Sequence, residues 1–390
     1  MTHKVLFTSL LFLLFTAIMG CLLRFYAAGI DAGLKFGNLL HAHSHTAMMG
    51  WVYVAISSLV YLLFIEKPGF KVLFGVTLAS VFGLLVAFLI QGYGLFSVFF
   101  CCLHLLCTYI FVYKALSETR GETSQATRLL RLSLYLLVIS TLGLLGIGPA
   151  MALADRFSGL FQTTIQFYLH FQFNGFFYFA ILAIFFKSFE LEIEERKFNQ
   201  FVYLSALATA LTFALPLSWY FPGRHLYYLQ VVGSVFQLAA VVQLMYSFKS
   251  KLSLQLGNSE KALFYFSALS FLLKTLLPVF FIYPDLMRWS HEIRSVTIAF
   301  IHLMMLGMIT GFLMFFMLRK QFFCSKSLSF RTGVFLFIVS FILTEGLLFV
   351  QSLQAMFSLP AWKYSFDALA IASLFFPVAI VCWLFNFKRL

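Results

Sequence analysis

Apolar runs of about twenty residues, each closed by a few polar ones, follow one another along the whole chain. A bilayer core takes roughly 20 apolar residues per helix. On that measure the pattern predicts twelve spans, near 5–27, 39–65, 70–93, 95–116, 129–152, 162–187, 198–220, 226–248, 261–283, 294–319, 329–352 and 368–387. No long polar segment separates them. The most polar connections are 117–128, with Glu118, Arg120, Glu122 and Arg128, and 188–197, with Glu192, Glu194, Glu195, Arg196 and Lys197. Residues 1–390 read as a single transmembrane domain, with no internal repeat and no biased tract beyond an abundance of phenylalanine.

Composition narrows the class further. Apolar residues make up 62% and charged residues 11%, against about 25% charged in soluble domains. A chain with 53 Phe and 14 acids cannot cover a globule with polar groups. A soluble enzyme, a disordered chain and a secreted disulfide scaffold are excluded. An outer-membrane barrel is excluded because the runs are continuous where barrel strands alternate. The fold class expected is an all-α polytopic membrane protein. Ile18-Met19-Gly20-Cys21 faintly resembles a lipoprotein cleavage site, but the apolar run continues to Ala28, so span 1 is expected to stay in the membrane.

The net charge of +13 reads as a topology signal and gives no reason to expect a nucleic-acid partner. Nineteen Lys and Arg fall on the side of the two chain ends and the even-numbered connections. Seven (Arg24, Lys35, Arg156, Arg224, Arg288, Arg294 and Lys363) fall on the other, and Lys274 lies within a span. By the positive-inside rule both termini are cytoplasmic, and the expected location is a bacterial cytoplasmic membrane. The six cysteines form no C-x-x-C motif and read as small apolar filler. Lys274 and Glu345, the charged groups well inside spans, read as a snorkelling lysine and an acid paired near the outer edge.

Histidine placement carries the candidate chemistry. Apart from His3 and His291, the histidines (His41, His43, His45, His104, His170, His225 and His302) fall on spans 2, 4, 6, 8 and 10, near the outer start of each. At 1.5 Å per residue, His43, His170 and His302 sit roughly 5–12 Å below the outer edge of the hydrocarbon. A shared depth on separate helices suits one buried metal or haem site better than scattered interfacial anchors, although His225, after Pro222-Gly223-Arg224, reads as an anchor. On a helix His41 and His45 share a face, and His43 points about 200° away. Met48, Met49 and Trp51 read as packing residues.

With these residues in view, the chain resembles subunit I of the haem–copper oxidase superfamily. The resemblance covers the twelve-span plan with both termini inside and short motifs in spans 2, 6 and 10. Thr297-Ile298-Ala299-Phe300-Ile301-His302 is similar to that family's T-I-x-H-x-H, and His43-Ser44-His45-Thr46-Ala47-Met48-Met49-Gly50 resembles the H-A-H-E-M-x-x-G of the NnrS family. The resemblance implies His43 and His302 as the axial ligands of a low-spin haem b. It offers His170 for copper, with His41, His45 and His104 as further metal candidates. It also implies a quinol or cytochrome electron donor and a redox or nitric-oxide-related role. Two departures count against oxygen reduction: Phe300 stands where the family has its high-spin haem ligand, and span 7 carries no histidine. The rival expectation is a cofactor-free multi-pass transporter, against which no span is broken near its middle by paired Gly or Pro.

Overall fold

A computed structural model of the protein describes residues 1–65, 67–248 and 255–388. Lys249, Lys251 and Arg389, which enter the charge asymmetry, lie outside the described residues. The chain is helical throughout, with no strand among the described residues beyond one isolated bridge, Phe323 to Phe387. The twelve expected spans are all present as helices long and apolar enough to cross a membrane. In chain order, spans 1 to 12 are Thr2–Ala27, Phe36–Ile65, Lys71–Gln91, Leu95–Glu118, Gln125–Leu153, Gly159–Ser188, Glu195–Ser218, Arg224–Phe248, Asn258–Phe280, Arg294–Arg319, Leu328–Met356 and Ser365–Phe385. A short additional helix, Pro284–Glu292, precedes span 10.

Three spans are buried far more than the others along an apolar 18-residue stretch: 78% in span 2, 89% in span 6 and 67% in span 10, against at most 50% elsewhere. A helix that is apolar all round suits such burial, because no face must be kept for water. The same three spans share a local irregularity. A π-helical stretch follows a histidine directly in each: Thr46–Tyr53 after His45, Phe171–Phe177 after His170 and Leu303–Thr310 after His302. π-Turns are rare and concentrate at functional sites.

These stretches carry a pattern of three residues, although the sequence around them does not repeat. His45, Gly50 and Tyr53 recur as His170, Gly175 and Tyr178, and again as His302, Gly307 and Thr310, once in every fourth span. The glycine serves close approach. A Cβ on Gly50 would lie 2.9 Å from Phe12 of span 1 and from Val81 of span 3, and one on Gly175 would lie 3.0 Å from Leu136 of span 5. Neighbours hold the hydroxyl residues. Tyr178 Oη accepts from Gln237 Nε2 at 3.1 Å and Thr310 Oγ1 accepts from Trp51 Nε1 at 2.8 Å. The Tyr53 ring meets His104 edge-on at 4.9 Å.

The chain divides into two compact units. One comprises Met1–Thr119, Leu256–Ser267 and Ile301–Leu390, and the other Arg120–Gln255 and Ala268–Phe300. In the first, Phe12 and Met19 of span 1, Leu39, Ala42 and Met49 of span 2, and Val81, Leu84, Leu85 and Phe88 of span 3 form a continuous apolar core. Span 1 also reaches span 12, where Cys21 Sγ donates to the Ser373 carbonyl at 3.2 Å. The second unit has a polar clamp at one end. The Gln125 amide donates to the Ile193 carbonyl at 2.7 Å and accepts from the Ile193 N–H at 3.1 Å, while Arg128 pairs with Glu195.

Candidate functional site

Both expected axial ligands belong to the first unit. His43 turns toward span 1, and its Nδ1 lies 2.9 Å from the carbonyl oxygen of Thr16. Gly20, one turn further along span 1, admits the ring: a Cβ there would stand 3.0 Å from His43 Cε1. His302 places its Nδ1 3.6 Å from Glu345 Oε1 on span 11. That carboxylate oxygen is buried and has no hydrogen-bond partner. Glu345 therefore faces a histidine, at a separation longer than a hydrogen bond.

A tie between spans 2 and 10 fixes the relation of these two histidines. Trp51 Nε1 donates to Thr310 Oγ1 at 2.8 Å, with both residues buried. His43 precedes Trp51 by eight residues, and His302 precedes Thr310 by the same eight. Even-numbered spans run in one direction. Two like-directed helices joined at corresponding residues keep the histidines at one depth, eight residues from the tie in each.

The remaining metal candidates separate into three places. His41 and His45 share a face, with ring centroids 6.2 Å apart, and both stand against Phe88 and Tyr93. His45 Nδ1 meets the His41 carbonyl at 2.9 Å, and its Nε2 faces the Tyr93 hydroxyl at 3.5 Å. His104 is buried, with Nδ1 3.3 Å from Ser80 Oγ. His170 belongs to the second unit. Its Nε2 donates to the Thr209 carbonyl at 2.8 Å, which makes Nδ1 the acceptor facing the Asn174 amide at 3.4 Å. Both ring nitrogens of His170 are thus engaged by protein groups, and the ring ties span 6 to span 7. Among the described residues no group of three or more His, Cys, Asp or Glu is arranged to hold a metal ion.

Lys274 departs from the sequence reading. It is 3% exposed and does not snorkel; its ammonium sits 5.1 Å above the ring of Tyr178 within the second unit. Span position alone does not say which way a long side chain turns, and here the aromatic face offers the cation an attractive quadrupole. Trp51 is buried packing as expected, with the added tie to Thr310.

The partners of the two principal histidines fit a haem ligand set. A metal-bound imidazole usually gives its second N–H to a carbonyl or a carboxylate, which fixes the ring and raises its basicity. His43 has the first arrangement, His302 only faces a carboxyl oxygen 3.6 Å away, and neither Nε2 makes a hydrogen bond among the described residues. Thr16 and Glu345 are functional candidates that sequence reasoning did not supply. Glu345 had a signal, as an acid deep in an apolar span, whereas a backbone carbonyl such as that of Thr16 has none. No protein-family model and no curated protein sequence matches the chain.

Proposed function

We propose that the chain is an integral-membrane b-type haem protein, akin to haem–copper oxidase subunit I and to NnrS, with its reaction centre reduced to one bis-histidine site. His43 and His302 hold the iron through Nε2. Thr16 and Glu345 orient the two rings, and Gly20 gives the first ring its room. The single observation that carries this reading is the matched pair of Nδ1–oxygen contacts on histidines set eight residues before the Trp51–Thr310 tie. A bound haem would supply one-electron chemistry, and His43 and His302 as its two protein ligands would favour electron transfer over ligand activation. The donor is a membrane quinol or a cytochrome, and the role is redox or related to nitric oxide. Copper enters the proposal as a second metal, with His41 and His45 as the paired imidazoles nearest to one another.

The deciding experiment is the visible spectrum of the purified protein. Sharp reduced α and β bands are expected, and His302→Ala or His43→Ala should abolish them. Bands that survive both substitutions would exclude these ligands.

The transporter reading draws on a different observation. The second unit buries Lys274, Tyr178, Gln237 and His170, an unusual density of polar groups for lipid surroundings. A colourless purified protein would favour that reading.

A further inference from the structure

The second unit contains a cavity of about 570 Å³ that the haem reading does not use. It lies where span 7 ends and span 8 begins, bordered by the short helix Pro284–Glu292. Its size falls within the range of small-molecule sites, roughly 300–1,000 Å³.

The walls are of two kinds. Trp219, Tyr227, Tyr228 and Met287 give apolar and aromatic surface, and His291 is stacked on Trp219 at 5.1 Å with the planes 19° apart. Tyr227 is fixed by its hydroxyl bond to the Ile282 carbonyl, so this wall is rigid. The polar edge carries Arg224, Arg288 and Glu292. Their charges are not equivalent. Arg288 stands 3.5 Å from Asp285 and 3.6 Å from Glu292, so it already faces two acids of its own helix. Arg224 has no ion pair, hydrogen bond or ring contact among the described residues. It is also the first residue of span 8, at the positive end of the helix dipole.

One uncompensated positive charge, an adjoining helix N-terminus and an aromatic wall select a particular chemistry. The ligand carries one negative charge with several acceptor oxygens, as a phosphate group does. It also has an apolar body that lies against tryptophan and tyrosine, the residues that belong at the level of lipid headgroups. We propose that this cavity binds the phosphodiester headgroup of an anionic phospholipid, with Arg224 as the charged contact and Trp219, Tyr227 and Tyr228 against the glycerol and upper acyl chain. The lining holds two guanidinium groups against one carboxylate, so a headgroup that brings its own ammonium is less well matched and zwitterionic headgroups bind less well.

Native mass spectrometry of the full-length protein tests this, with phosphatidylglycerol, phosphatidylethanolamine and phosphatidylcholine offered in turn. The wild-type chain should retain one phosphatidylglycerol in preference to the other two. Arg224→Gln should weaken that retention about tenfold or more, the usual effect of removing a charged hydrogen-bond donor. Lys363→Gln, which removes another exposed cation from the outer-side set, should leave it unchanged. Equal retention of the three lipids, or equal losses in the two variants, would overturn the proposal. So would Arg224-dependent binding of inorganic phosphate without any retained phosphatidylglycerol, since the site would then take the free anion. None of these readouts involves haem.

Discussion

At the scale of single residues, the approach of Glu345 to His302 has a measurable consequence. Partners that orient a metal-bound imidazole typically contribute 10–100-fold to metal retention. Glu345→Ala is expected to speed haem release by about that factor while the reduced bands remain b-type. Glu345→Gln keeps an acceptor oxygen near Nδ1 and should fall between the two. Release into an excess of a haem-accepting apoprotein measures the rate, and identical rates in the three proteins would leave Glu345 without an orienting role. The sequence shows that Glu345 and Lys274 are unusual, because charges deep in apolar runs stand out. It does not show their partners, since His302 and Tyr178 lie on other spans and are brought near only by packing.

At the scale of elements, the spans were legible because continuous apolar runs can be counted against a bilayer thickness. The shared face of His41 and His45 was legible because 100° per residue is a fixed property of the helix. The recurrence of His, Gly and a hydroxyl residue was not, because the positions between them differ: Met48-Met49 in span 2, Phe173-Asn174 in span 6 and Met305-Leu306 in span 10. Only the π-helical stretches, which begin at the same point of each motif, draw attention to the three positions. Gly50 tests what the motif's glycine does. A methyl group there would lie 2.9 Å from both Phe12 and Val81, so span 2 must shift between its two neighbours. Overpacking of this kind costs about 1–3 kcal/mol. Gly50→Ala should lower the thermal midpoint in detergent, whereas Gly75→Ala, with no atom near its added Cβ, should not.

At the scale of the whole molecule, the charge asymmetry leads to an orientation. A cytoplasmic reporter joined to the carboxyl end is expected to be active and a periplasmic one silent, and the reverse result would overturn the positive-inside reading. The same scale bears on what the chain does with oxygen. His170 uses both nitrogens on protein partners, and Phe300 offers no ligand. A pyridine hemochrome assay should therefore give at most one haem per chain, and reduced quinol or cytochrome c should drive no cyanide-sensitive oxygen uptake. Two haems per chain would refute the reduced reaction centre.

The π-helical stretches also make the three inner spans tolerant of a kind of change that the others cannot absorb. Removing one residue from an α-helix turns everything beyond it by 100° and sends each buried side chain to a new direction. Within a stretch whose turns hold one residue more than an α-helix, the same removal can be healed by tightening that turn, and the residues on either side keep their facing. Deleting Ala47 should thus leave Trp51 able to find Thr310, while deleting Ala79 in the regular helix of span 3 should misdirect Val81, Leu84 and Phe88 together. Expression and thermal stability of the two shortened chains would show the difference: length variation among natural versions of such a protein would be permitted first where the histidines stand.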